Sequence, residues 1–129
     1  KTQRKSLNIF FFVLLSQMIF VCGANSFHQL DEGSRDQIIT PPLPLRNDSS
    51  SILSYSLCSE HSVIITKQGI AQGIGNNFLG VINPSLPRKV LTNFTEFPIK
   101  DNMNRLLTPI SVVCGWNYTL YFVSNPYSI

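Results

Sequence analysis

WNYTLYFV, residues 116–123, alternates strictly around a set of aromatic side chains. Trp116, Tyr118, Leu120 and Phe122 stand on one parity, and Asn117, Thr119, Tyr121 and Val123 on the other. Successive side chains of a strand point to opposite faces. The octapeptide therefore predicts a strand that turns Trp116, Tyr118, Leu120 and Phe122 to a core and Asn117 to solvent. Cys114 falls on the core parity, with Gly115 able to break the register between them.

Working outward, the same texture recurs in ILSYSLC (52–58), SVIIT (62–66), FLGVI (78–82), VLTNFTEF (90–97) and ISVVC (110–114). β-branched and aromatic residues dominate these runs, and Gly, Pro and Asn punctuate them, as expected of short strands joined by turns. The expected fold is mainly β: a small antiparallel sandwich or barrel-like domain over residues 52–129. Only KDNMNRLL (100–107) offers a short helix. In the 90–97 run, Asn93 shares the parity of Leu91, Thr95 and Phe97, so it is less cleanly exposed than Asn117.

The N-terminal part reads differently. Lys1, Arg4 and Lys5 precede an apolar run from Leu7 to Val21, and small residues follow in CGANS. A basic start, an apolar middle and a small-residue exit are the parts of a secretory signal peptide. The run is shorter than the roughly 20 residues of a membrane span and is broken by Ser16 and Gln17. The expected organisation is a signal peptide over 1–24, cut after Ala24, with a cut after Ser26 close behind. A flexible arm follows over 25–51, where Pro41, Pro42 and Pro44 favour an extended chain and the serines after them flexibility.

Charge follows this division. The chain has 10 Lys and Arg against 7 Asp and Glu, and three of the basic residues lie in the signal segment. The remainder is balanced, and no basic run exceeds Arg88–Lys89, which is too little to track phosphates. Nucleic acid is thus not an expected partner, and the membrane is one only through an uncleaved signal segment. Of three cysteines, Cys58 and Cys114 remain after the signal. An even pair in an oxidising compartment predicts one disulfide. Three N-glycosylation sequons begin at Asn47, Asn93 and Asn117, while Asn83 is followed by a blocking proline. With 11 Asn and 22 Ser or Thr among 129 residues, about two sequons arise by chance.

Reactive constellations are sparse. Cys58-Ser59-Glu60-His61 sets a thiol, a carboxylate and an imidazole side by side, but a bridged sulfur is no nucleophile. Cys58, His61, Cys114 and distant His28 lack the paired spacing of a zinc site. An immunoglobulin domain would want a Trp between the two cysteines and a Tyr two residues before the second; here Trp116 follows Cys114, and Val112 holds the Tyr position. The stretch GIAQGIGNNFLG (69–80) has no Gly-Lys-Ser/Thr for phosphate and reads as a glycine-rich loop or hairpin connection. Its part AQGIGNNFLG resembles the fusion peptides of some retroviral envelope proteins, which implies a viral or endogenous-retroviral surface glycoprotein fragment as an alternative. The main expectation is a secreted, N-glycosylated, non-enzymatic binding protein without a cofactor. Its partner is expected to be an extracellular protein or cell-surface receptor, met by loops or by aromatic residues such as Tyr121 and Tyr127.

Overall fold

The structure, a computed structural model, describes residues 19–30, 33, 36–45 and 51–125. Its ten elements are all strands: β1 Phe20–Ala24, β2 Ile38–Pro44, β3 Ile52–Leu57, β4 His61–Thr66, β5 Ala71–Asn76, β6 Val90–Phe97, β7 Ile99–Lys100, β8 Leu106–Leu107, β9 Pro109–Cys114 and β10 Thr119–Val123. Strands β3, β4, β5 and β6 form an antiparallel four-stranded sheet in sequence order. The pairs β1–β2 and β9–β10 lie against its opposite faces, and β7–β8 is a small hairpin between β6 and β9.

The central sheet is covered on both sides, and β4 shows why. Val63, Ile64 and Ile65 are consecutive and fully buried. Because neighbours in a strand face opposite ways, an unbroken apolar run needs two cores. Ile64 joins Val21, Leu30, Ile39 and Leu45 from the β1–β2 side. Val63 and Ile65 join Ala71, Ile82, Leu86, Leu91, Phe97 and Val112 on the β9–β10 side. Burying each such side chain contributes about 1.5–3 kcal/mol. A disulfide between Cys58, just after β3, and Cys114, at the end of β9, ties the central sheet to the β9–β10 layer.

The layers are copies of one another. The β1–β2 pairing sets Gly23 opposite Ile39 and Val21 opposite Leu43, with an irregularity between them. The β5–β6 pairing sets Gly75 opposite Leu91 and Gly73 opposite Thr95, with the same irregularity, 52 residues further on at every position. Gly23 and Gly75 both have strongly positive φ, at 114° and 103°. His28 and Gly80, again 52 apart, are both left-handed, at 58° and 71°. The pairing of β9 with β10 repeats that of β3 with β4 at an offset of 57: Val113–Leu120 stands for Ser56–Val63 and Val112–Tyr121 for Tyr55–Ile64. Even the turns agree, since Cys58 N–H bonds the His61 carbonyl as Gly115 N–H bonds that of Tyr118. The described chain is the second half of one four-stranded unit, a whole unit, and the first half of a third.

Several sequence expectations are corrected by this arrangement. Residues 116–123 do form a strand from Thr119, but Trp116, Tyr118, Leu120 and Phe122 are exposed. Tyr121, on the opposite parity, packs edge-on against Phe97 with ring centroids 5.8 Å apart. A strand alternation identifies two faces but not which one meets the neighbouring layer. FLGVI (78–82) is a turn, because Asn77 and the left-handed Gly80 fold it back. The stretch read as a glycine-rich loop or hairpin connection holds β5, an inner strand of the central sheet. A side chain at Gly73 would collide there with Ile82. Residues 100–107 are no helix: Asp101 Oδ1 accepts from the backbone N–H of Met103 and Arg105 and bends the chain into the β7–β8 hairpin.

Of the stretch expected to be an arm, residues 38–44 form β2 and pair with β1, and Leu30, Ile39 and Leu45 are core. Its prolines fit a strand because Pro41 and Pro42 stand in the irregularity between Ile39 and Leu43, where no ladder N–H is demanded. Residues 20–24, placed in the signal segment, are β1, and Val21 is buried. The basic cluster and most of the apolar run lie outside the described residues.

Candidate functional site

The turns 58–60, 77–89 and 115–118 all emerge at one end of the sheets, since each joins the end of one upward strand to the start of its antiparallel neighbour. Asn77 organises this end. It is completely buried; its Oδ1 accepts from the N–H of Ile82 at 3.0 Å and of Asn83 at 3.3 Å, and its Nδ2 donates to the carbonyls of Asn83, Leu86 and Pro87. Asn25, its equivalent 52 residues earlier, likewise accepts from Leu30 N–H at 2.9 Å and donates to the Asp36 carbonyl. One buried amide per unit thus satisfies backbone groups of a loop that no strand can serve. Gly75 lets the chain enter this loop, because a Cβ there would strike the Glu60 carbonyl and the His61 backbone.

His61 is a joint between layers. Thr119 Oγ1 donates to the Val81 carbonyl at 2.6 Å, so it accepts from His61 Nε2–H at 3.0 Å. His61 is fully buried, and its Nδ1 has no hydrogen-bond partner. Burial lowers its pKa below the usual imidazole value, against the opposing pull of the Tyr118 backbone and the Glu60 charge. Tyr121 makes the second tie, donating from its hydroxyl to the Ile82 carbonyl at 2.6 Å; burial raises its pKa well above the usual phenol value. The juxtaposition of Cys58, Glu60 and His61 is therefore spent on structure. The sulfur is in the disulfide, Glu60 accepts from Asn76 Nδ2 at 2.7 Å, and the imidazole holds Thr119. Among the described residues no group of three His, Cys, Asp or Glu side chains is placed to hold a metal ion.

Around this rigid base the surface is apolar. Leu79 and Trp116 are 79% and 77% exposed, and Phe78 and Tyr118 about half. Leu79, Trp116 and Asn117 rim a recess of about 160 Å³ floored by Glu60, His61 and Asn76. Leu79 and Tyr118 also border a wider, open cleft of about 440 Å³ that reaches Lys100. Both sequons within the described residues are exposed: Asn117 at the rim of the recess, and Asn93 where β6 bulges between Leu91 and Thr95. That bulge places three residues opposite Ile74, which is why Asn93 escapes the parity expected of it. Asn47 and Tyr127 lie outside the described residues.

Sequence reading picked out Cys58, Cys114, His61, Asn93 and Asn117, but not Asn77, Asn25 or Thr119. The missed signal was the internal period. Gly23-x-Asn25 recurs as Gly75-x-Asn77, and the turn after Leu57 recurs after Cys114. A self-comparison at 50–60 residues exposes it.

No protein-family model matches the chain, and no curated protein matches it in sequence. Solved structures do. Yeast RCC1 (Prp20), solved with Kap60 bound, superposes with a TM-score of 0.64 at 18% identity, covering 84% of this chain and 26% of that one. Prp20p from Saccharomyces cerevisiae, in a study that also describes its binding to Gsp1p and histones, gives 0.59 at 18% identity, covering 84% and 27%. Human WBSCR16 gives 0.60 at 16% identity, covering 84% and 31%. The stacked units therefore have the fold of a stretch of an RCC1-like β-propeller. The chain spans between about a quarter and a third of the length of these proteins.

Proposed function

We propose that this chain is a propeller-type scaffold that binds another protein through the loop end of its sheets and performs no chemistry of its own. The observation that carries the reading is the apolar rim of Leu79, Trp116 and Tyr118, held out to solvent on turns that Asn77 and His61 make rigid. Exposed Trp and Tyr on a pre-ordered surface are the residues that dominate protein–protein binding energy. The structural neighbours support a protein partner in general, since Prp20 is described in complex with Kap60 and as binding Gsp1p and histones. The test is the Trp116→Ala, Leu79→Ser double variant, compared with the unchanged chain in cross-linking mass spectrometry from the cell of origin. Cross-links from Lys89 and Lys100 to a partner should disappear while the thermal midpoint stays put. Retention of the same partner and cross-links would refute the reading.

A second proposal concerns compartment, favoured by the disulfide and the two exposed sequons: the protein works outside the cytosol as a glycoprotein that meets an extracellular protein or receptor. A glycan on Asn117 would stand at the rim of the recess, so it competes with binding there. Cleavage after Ala24 would strip β1, leaving β2 unpaired and Ile39 and Leu45 uncovered. Intact mass of the exported protein, with and without glycosidase, separates these possibilities. A glycosidase-sensitive product supports export, and the N-terminus shows whether β1 is kept.

A further inference from the structure

We infer that the recess between the 58–60 turn, the 77–89 loop and the 115–118 turn takes an arginine side chain of the bound protein. Such an anchor presupposes that this loop end binds protein, as proposed above. The recess holds about 160 Å³. Small-molecule pockets measure about 300–1,000 Å³, and a water occupies about 30 Å³. The space therefore suits one side-chain head of a few heavy atoms and is too small for a cofactor or a drug-sized ligand. Both walls lie within the described chain: Leu79 and Val81 come from the loop of the central unit, and Trp116 from the turn of the next. The counterpart of Trp116 in the central unit is Ser59, at the offset of 57. Ser59 is exposed, although Gln29 of the preceding loop bonds its carbonyl and the N–H of Asn76, at the start of the following one, bonds that of Glu60 beside it. The position is thus an outward one in the repeat.

Charge and hydrogen-bonding capacity select the occupant. Glu60 is the one charged side chain that lines the recess. Arg88 packs against Gly80, and neither it nor Lys89 contributes to the lining. Glu60 is fixed before anything binds. Its carbonyl accepts from the Asn76 N–H at 2.8 Å, and its Oε2 accepts from Asn76 Nδ2 at 2.7 Å. Its Oε1 is left open to a further donor. His61 lies beside it in the floor, neutral because burial lowers its pKa. Thr119 takes the Nε2–H, so Nδ1 is a bare acceptor, buried and unpaired. Buried acceptors are seldom left so. The floor therefore presents acceptors and one negative charge, and the exposed indole of Trp116 adds a π face at the rim. A carboxylate pairs a cation, and an indole face attracts one. Of the basic side chains, arginine fits both features. Its planar guanidinium stacks on aromatic rings and spreads five N–H donors over separate acceptors, whereas an ammonium is a compact, strongly hydrated point charge. An anion would be repelled by Glu60, and a purely apolar side chain would strip its water without replacing the hydrogen bond.

The test uses Trp116, the single tryptophan of the chain, whose indole N–H gives one resonance in a nitrogen–proton spectrum. The full chain, made without glycan, is titrated with N-acetyl-arginine amide and separately with N-acetyl-citrulline amide, which has the same shape and no charge. The arginine probe should shift the indole resonance and the backbone amides of Glu60 and His61 saturably, with a Kd of about 1–10 mM, as suits a single anchor. Citrulline should bind at least about fivefold more weakly, and so should arginine to Glu60→Gln. That variant keeps an acceptor for Asn76 Nδ2, so its thermal midpoint should not move. Equal shifts by the two probes, shifts that never saturate, or full affinity in Glu60→Gln would overturn the inference. Cross-linking keeps the two proposals apart. If the Trp116→Ala, Leu79→Ser variant loses the partner while Glu60→Gln keeps it, the arginine anchor falls and the protein-binding surface stands. If the arginine probe saturates in a Glu60-dependent way and no partner cross-links, the recess is a guanidinium site and the protein-binding reading falls instead.

Discussion

Replacing Asn77 by Ala isolates the amide that holds the 77–89 loop. Five hydrogen bonds vanish, at distances from 3.0 to 3.4 Å. Two of the abandoned groups, the Ile82 N–H and the Leu86 carbonyl, sit in buried bonds that water cannot replace. Each stranded buried group costs about 1–3 kcal/mol, so the variant should lose about 2–6 kcal/mol. A mid-range loss fits within the roughly 5–15 kcal/mol by which domains are ordinarily stable, so the protein should still fold. Asn25→Ala strands one buried N–H, that of Leu30, and should lose about 1–3 kcal/mol, half the cost at Asn77. Asn77→Asp keeps the acceptor but points a carboxylate at three carbonyls; it should be worse than Ala at neutral pH and recover as acid protonates it. Urea denaturation with an unchanged m-value measures all three. A loss below about 1 kcal/mol for Asn77→Ala, or a larger loss for Asn25→Ala, would show that the amide is not what fixes the loop.

Reducing the Cys58–Cys114 bond, which spans 56 residues, should cost about 4 kcal/mol by the chain-entropy relation, read as a lower urea midpoint with reductant present. His61 sets a pH dependence. Its folded pKa is depressed, so the neutral imidazole is the folded form, and its contribution is complete above about pH 6.5 and declines as the pH falls below that value. Stability should drop by up to about 1.4 kcal/mol per pH unit there. The drop should be shallower in His61→Gln, and equal slopes in the two proteins would assign it to other groups.

How much of this architecture could be read beforehand varied with the kind of residue. The β-branched runs of β3, β4, β6 and β9 announce themselves, because Val, Ile and Thr suit a pleated buried surface. β5 does not. AQGIGN owes its place to what it lacks, since Gly73 must leave room for Ile82 and Gly75 must turn past Glu60. β1 hides for the opposite reason: FVCGA ends an apolar run that looks like a signal segment, and nothing local marks Val21 as a core residue of a sheet. The parity of residues 116–123 was legible but its sign was not, because the sign depends on which side the neighbouring layer occupies. At the site, Cys58 and Cys114 follow from counting. Asn77 and Thr119 act through backbone carbonyls and one imidazole, and become visible only once the repeat aligns them with Asn25 and Ser62.

The covalent stitch between Cys58 and Cys114 has a mechanical side. Under tension applied at the two ends of the chain, load passes directly across the sulfurs, and the segment between them, a sequence separation of 56, stays slack. Peeling can free β1, β2, β3 and β10, but β4, β5 and β6 sit inside the bypassed loop. At about 3.3–3.6 Å per extended residue, the stitch withholds about 190 Å of contour length, released only when a reductant opens it. A single-molecule pulling trace with and without reductant would therefore differ by one step of that size.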